Sequence, residues 1–188
     1  MFKREKDEIY YDKINKTYTK IIKPRLNKKI KYFFKFRKYP GENVKYISEL
    51  FKKNRIKTLE IIEFNKYKTV TKEINGDTLM NEIIKLNDNE ERDILINKYI
   101  EIVVKIINLE VYFGDFNFRN FIVQNKELYV IDLEDYRKDF FSKFRKKEMM
   151  RRLKRTLYNT EKNLENRKVK LNGEEIYLKI EEKLKNMI

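Results

Sequence analysis

Residues Val111 to Tyr136 read V-Y-F-G-D-F-N-F-R-N-F-I-V-Q-N-K-E-L-Y-V-I-D-L-E-D-Y. Two short apolar runs, Phe121–Val123 and Leu128–Ile131, flank the turn-like pair Asn125-Lys126, which is the pattern of a β-hairpin. Asp115, Asn117, Arg119 and Asn120 precede the first strand, and Asp132 ends the second. A hairpin brings its outer ends together, so Asp115, Asn120 and Asp132 are predicted to converge. Two carboxylates and an amide oxygen form a hard-oxygen donor set of the kind Mg²⁺ prefers when it also keeps places for water and phosphate.

The order Asp-x-x-x-x-Asn, a strand, then an Asp closing the next strand resembles the catalytic loop and metal-binding Asp of the protein-kinase-like superfamily. The wording G-D-F-N-F-R-N-F-I-V followed by L-Y-V-I-D-L is most similar to the small bacterial lipopolysaccharide core heptose kinases, and more distantly to aminoglycoside phosphotransferases. Those carry a G-D-x-x-x-x-N loop and no D-F-G tripeptide; Asp132-Leu133-Glu134 stands in its place here. Many relatives have a His before the Gly-Asp pair. This chain has Phe113 there and no His anywhere. The likeness runs from about Thr17 to Arg155.

The resemblance implies an α+β, bilobal protein-kinase-like fold, with a reduced N-terminal antiparallel sheet lobe and a mainly helical C-terminal lobe. Residues 1–75 would form the small lobe and 76–188 the larger one, which holds the catalytic hairpin 111–136. ATP and Mg²⁺ are the implied cofactors. Asp132 and Asn120 would hold the metal, and Asp115 would orient or deprotonate the attacking hydroxyl. Arg119 would offset charge on the transferring group. A strand Lys would hold the ATP α- and β-phosphates. No long activation segment follows Asp132, so the expected acceptor is a small molecule or glycolipid and not a protein; the resemblance to heptose kinases makes it a sugar hydroxyl, a heptose of the lipopolysaccharide inner core. An aminoglycoside is cationic and suits so basic a chain less well.

Composition sets the outer bounds. At 188 residues the chain is long enough for one domain with a substantial core. Hydrophobic residues make up 41% and aromatics 14%, enough to fold a chain that is 40% charged. The absence of Cys excludes disulfides and thiolate metal sites. No apolar run approaches membrane-spanning length, and Met1 to Asp7 carry no apolar stretch of the secretory type, so a cytoplasmic protein is expected; the heptose-kinase resemblance implies a peripheral place at the inner membrane face. A net charge of +15 favours anionic partners. The expected partners are ATP, a phosphate-accepting sugar or glycolipid, and an anionic membrane surface. Nucleic acid is not expected, and the chain is read as a monomer. The competing reading is a basic binding protein without catalysis, in which Asp115, Asn120 and Asp132 are ordinary turn and capping residues.

The remaining elements follow from local pattern. Glu8–Ile14 and Thr17–Ile22 read as a hairpin turning at Asp12 to Lys16. Lys20, flanked by Thr19 and Ile21, is the candidate phosphate-binding Lys, with Lys23 the runner-up, although a strand Lys in so basic a chain is ordinarily surface. The first glycine is Gly41, so no glycine loop precedes that strand, and GxxxxGK[ST] is absent. Arg25 to Lys38 is basic and aromatic; the aromatics are expected in the core and the lysines in water or toward a membrane. Glu42 to Asn54 has helical spacing at Val44, Ile47, Leu50 and Phe51. In the kinase reading Glu42 would pair with the strand Lys; a first-turn Glu also simply complements a helix dipole. Ile56–Glu63 and Lys68–Ile74 read as strands leading to a hinge at Glu73, Ile74 and Asn75, whose backbone would bond adenine. Leu79–Leu86 is a short helix. Asp88-Asn89-Glu90-Glu91 starts a buried helix running to about Asn108. Arg137 to Arg155 and Glu174 to Ile188 read as further helices, the former basic and amphipathic.

Overall fold

A computed structural model describes residues 7–34, 36–86, 90–139 and 141–186. The fold is α+β and bilobal. One part is a four-stranded antiparallel sheet, ordered β1-β2-β4-β3 from strands β1 (Glu8–Asp12), β2 (Thr17–Ile21), β3 (Ile61–Phe64) and β4 (Lys68–Lys72). The other is mainly helical and carries a three-stranded sheet ordered β5-β6-β7, from β5 (Asp77–Thr78), β6 (Phe121–Gln124) and β7 (Glu127–Val130). The helices are α1 (Leu26–Phe33), α2 (Pro40–Lys53), α3 (Leu79–Leu86), α4 (Glu90–Asn108), α5 (Lys146–Glu165) and α6 (Gly173–Lys185). None of them is long and apolar enough to cross a membrane.

The register of the larger sheet decides which side chains look inward. Lys20 pairs with Ile9 and Thr69, and Tyr18 with Tyr11 and Thr71. Alternation then puts Ile9, Tyr18, Lys20, Thr69 and Thr71 on one face. Thr69 and Thr71 are buried there. The β1–β2 turn has no glycine. Asp12 instead accepts hydrogen bonds from the backbone N–H of Ile14 (2.9 Å) and Asn15 (3.1 Å), and Lys16 takes a left-handed conformation, φ 49°. This is an Asx-type solution to a tight turn.

α4 holds the centre. Leu95, Tyr99, Ile100, Val103, Val104, Ile106 and Ile107 are buried, and they belong to one continuous core with Val44, Ile47 and Phe51 of α2 and with the hairpin. The Asp88-Asn89 start signal lies outside the described residues. The hairpin turns at Asn125 (φ 52°) and Lys126 (φ 61°), both left-handed as a two-residue type I′ turn requires. Lys98 of α4 clips that turn by donating to the Lys126 carbonyl at 2.7 Å.

Three expectations need correction. Ile56 to Glu60 is not strand: Ile56 is buried, and Thr58 forms a lone parallel bridge with Val130, its hydroxyl donating to the Val130 carbonyl at 2.7 Å. The segment is thereby spent on tying α2 to the hairpin. The aromatics of Arg25–Lys38 are not core: Phe33, Phe34 and Phe36 are exposed and only Tyr32 is buried. The helix expected from Arg137 begins at Lys146, after a 3-10 turn at Ser142–Arg145. There Ser142 and Asp139 hydrogen-bond each other and hold the chain in a tighter path.

Gly41 allows α2 to dock on the β3–β4 turn. Its N–H donates to the Lys66 carbonyl at 3.1 Å, and a Cβ there would overlap the Asn65 carbonyl and lie 2.9 Å from the Lys68 carbonyl. Gly41→Ala should therefore cost about 1–3 kcal/mol, as overpacking against backbone does. Urea or thermal melting measures this, and an unchanged midpoint would remove the glycine from this role.

Candidate active site

The two ends of the β6–β7 hairpin are pinned together. The Ile131 N–H donates to the Asn120 carbonyl at 3.0 Å. Before β6, the 3-10 turn Phe118–Asn120 is capped by Asn117, whose side chain accepts from the Arg119 N–H at 2.9 Å. Asn120 donates its amide N–H to the Asp115 backbone carbonyl at 3.0 Å. After β7, Asp132 sits in the left-handed region (φ 61°, ψ 44°), a conformation an Asp tolerates at a cost of about 1 kcal/mol. That kink aims its carboxylate back toward the sheet.

Lys20 meets it there. Its ammonium bonds Asp132 Oδ1 at 2.6 Å and also pairs with Glu134. Burial alone would lower the Lys20 pKa, but the Glu134 and Asp132 charges outweigh it and raise the pKa, so Lys20 stays protonated. Burial, then the Asp132 charge, push Glu134 up to about 7 against the pull of Lys20. Partial burial of its carboxyl raises Asp115 as well; the Asn120 amide pulls the other way and the Asp132 charge adds to the rise. Asp115 and Asp132 are thus near enough to sense each other, as are Lys20 and Asp132.

A cleft of about 370 Å³ opens between the larger sheet and the hairpin. Lys20, Thr69, Thr71, Asp132 and Glu134 line one part, and Glu73, Ile74, Asn75 and Gly76 line another. Asn75 and Glu73 therefore reach the same cleft as Lys20. The Glu73 side chain accepts from the Tyr11 hydroxyl at 3.0 Å, and its N–H is used by the Lys16 carbonyl at 2.8 Å. Among the described residues no hydrogen bond uses the N–H of Ile74 or Asn75. A second cavity of about 440 Å³ lies beyond Gly76, between α3, α4 and the hairpin turn. Its charges are paired with one another, as in Lys85–Asp77 at 2.9 Å, and it holds no acid or base apart from them.

Glu42 is not brought to Lys20. It is exposed on the first turn of α2, and Lys20 draws its carboxylates from Asp132 and Glu134 instead. Of α2, Val44 lines the cleft, and Asn43 anchors the chain that follows Asp132. Buried, it donates to the Tyr136 carbonyl at 2.7 Å, with the Leu133 and Glu134 carbonyls at 3.5 Å. Sequence reasoning passed over both Asn43 and Glu134. The only available signal was an Asn inside a helical apolar face and an acid two residues beyond Asp132. Arg119 is exposed on the 3-10 turn, with no ion pair among the described residues.

Below this loop lies an aromatic floor. Phe113 stacks on Tyr136 with ring centroids 3.6 Å apart, and Phe51 and Phe116 meet these two rings edge-on. Such pairs contribute about 0.5–1.5 kcal/mol each beyond area burial. Phe113 thus supports the loop by packing. Its own N–H faces the Met149 sulfur at 3.4 Å.

No protein-family model and no curated protein matches the chain. Among solved structures it is similar to the LegK7 effector kinase of Legionella pneumophila, with 16% identity and a TM-score of 0.38. The match covers 71% of this chain and 31% of that kinase, so the chain spans under a third of its length. Overlap this loose assigns no chemistry to the site.

Two outcomes are expected here. The Tyr136 hydroxyl is buried with no hydrogen-bond partner among the described residues. Tyr136→Phe should raise stability by roughly 1 kcal/mol, because an unsatisfied buried hydroxyl is removed while the ring stays; a lower melting temperature would show that the hydroxyl does have a partner. The Glu134 pKa lies above that of an unfolded Glu, so its contribution to stability falls as pH rises from 4.5 toward about 7. Glu134→Gln should gain on the wild type in melting temperature as pH goes from about 5 to about 8. A gap that does not change with pH would rule this out.

Proposed function

We propose that the chain is an ATP- and Mg²⁺-dependent phosphotransferase acting on a sugar hydroxyl. The observation that carries this is the Lys20–Asp132 contact of 2.6 Å, made across 112 residues of sequence at the inner end of the cleft. A strand ammonium and a carboxylate at a hairpin end are the two fixed charges that a nucleotide triphosphate with a metal ion needs. The more specific acceptor, a heptose of the lipopolysaccharide inner core, rests on the likeness of the 114–133 stretch to heptose kinases. The short path from Asp132 to α5 leaves little chain for a protein-binding segment, which favours a small-molecule or glycolipid acceptor over a protein.

The donor set suits the metal. Asp132 offers carboxylate oxygen, and Asn120, its amide nitrogen engaged by Asp115, has its amide oxygen left over. Among the described residues no group of three or more carboxylates gathers into a closed cage. A Mg²⁺ held by Asp132 and Asn120 would complete its shell with water and phosphate. When bound, Mg²⁺ would neutralise charge on the phosphate oxygens. The chain's own residues do the rest. Lys20 holds the α- and β-phosphates, exchanging part of its bond to Glu134 for them. The Ile74 and Asn75 backbone faces the base. Asp115, its pKa raised, takes the proton of the acceptor hydroxyl as that oxygen bonds to the γ-phosphorus and the β–γ bridging oxygen leaves. Arg119 offsets charge on the transferring group.

One observation favours a second reading. Lys20 is already satisfied by two carboxylates, and no glycine loop covers the phosphates, which would suit a fold that binds nucleotide without transferring it. Calorimetry and γ-phosphate transfer separate the two. Wild type should bind Mg·ATP and transfer phosphate to core glycolipid. Asp132→Asn should lose Mg²⁺-dependent binding. Asp115→Asn should bind but transfer about 10²–10⁴-fold more slowly. Binding without transfer supports the second reading, and no Mg·ATP binding by a folded wild type sinks both.

A further inference from the structure

α1 carries its apolar side chains on the outside. Leu26, Ile30 and Phe33 recur at helical spacing, and together with Phe34 and Phe36 they are 51–76% exposed. The inward position is taken by Tyr32, which is buried. The exposed rings touch one another: Phe33 meets Phe34 edge-on at 5.4 Å, and Phe34 lies 6.2 Å from Phe36. A contiguous apolar ridge of this kind marks an interaction surface. Around it, seven of the fourteen residues from Arg25 to Lys38 are Lys or Arg and none is acidic. Lys28, Lys29 and Lys31 are exposed beside the ridge.

A second aromatic-basic segment adjoins it. Phe36, Arg37 and Lys38 line a cavity of about 280 Å³ together with Arg137, Lys138 and Asp139. Phe141 and Phe144, just beyond, are also exposed. Lys28 and Tyr32 of α1 line that cavity too, and they also line a neighbouring one of about 410 Å³ whose lining includes Lys20 and Asp132. The ridge therefore flanks the Asp132 end of the site.

We propose that α1, with the adjoining Phe34 and Phe36, docks on an anionic lipid bilayer, its apolar ridge in the acyl boundary and its lysines among the headgroups. The charge pattern selects this occupant. A second copy of the chain would bring two acid-free basic segments face to face, which like charge opposes. A nucleic acid would use the rings for stacking, but Leu26 and Ile30 share the ridge and have no π-face to stack on. Docking by this face would place the Asp132 end of the cleft at headgroup level. The inference goes beyond the proposed phosphotransfer and does not depend on it.

Flotation with vesicles tests it, using the full chain. Wild type should float with vesicles containing phosphatidylglycerol and not with phosphatidylcholine alone, and the fraction bound should fall with salt. The triple variant Phe33→Ser, Phe34→Ser, Phe36→Ser should bind at least about tenfold more weakly. The pair Lys29→Glu, Lys31→Glu should do the same. These side chains are exposed, so circular dichroism and melting temperature should stay as in wild type. Failure of the wild type to float, or floating of the phenylalanine variant at the wild-type level, would overturn the proposal. So would concentration-dependent self-association that the phenylalanine variant loses while wild type ignores vesicles.

Discussion

A half-buried ammonium on the inner face of a sheet requires counter-charge, and Lys20 obtains it from the far end of the hairpin. Desolvation of Lys20 is offset only if Asp132 and Glu134 both arrive, so the position of the sheet and the path of residues 132–135 are fixed together. Two carboxylates against one ammonium leave one negative charge in excess. Burial raises the Glu134 pKa, and the Asp132 charge adds to the rise against the pull of Lys20. The same three residues thus form a structural clamp at one part of the cleft lining.

The clamp needs a rigid base, because residues 113–120 and 131–137 contain little regular structure. Their backbone groups are satisfied piecemeal: Asn43 bonds the Tyr136 carbonyl, Tyr99 donates to the Phe116 carbonyl at 2.7 Å, and Tyr112 and Arg137 pair through their backbones. Beneath them the rings of Phe113, Phe116, Tyr136 and Phe51 interlock. Phe113, stacked on Tyr136, adds shape and burial to the hydrogen bonds that Asn43 and Tyr99 make to this loop.

The molecule is polarised in its surface as well as in its site. α5 buries Met149, Leu153, Leu157 and Leu164, so its many Lys and Arg face water around a packed helix. α1 does the reverse, and its ridge stays outside. Both are basic and amphipathic in sequence. The difference is that α5 has α6 to pack against, whereas Tyr32 alone fills the space that α1 faces.

Periodicity and turn chemistry determined the elements: the hairpin at Asn125-Lys126, α3, the buried α4, α2 and the β1–β2 pair are all legible in the chain, because each is fixed by local propensity and an apolar pattern. The order Asp115, Asn120, Asp132 was legible for the same reason, since a hairpin closes its own ends. Tertiary structure decided what depends on contacts distant in sequence. Glu42 has the right chemistry but points to solvent, and Glu134 takes the partnership because the left-handed turn at Asp132 swings it beneath Lys20. Asn43 became the α2 anchor because its face, not that of Glu42, meets the Tyr136 carbonyl. Thr58 left its expected strand for a bridge to Val130. The exposure of Phe33, Phe34 and Phe36 could not be read from composition, since whether an aromatic run is core or surface depends on which neighbour arrives to cover it.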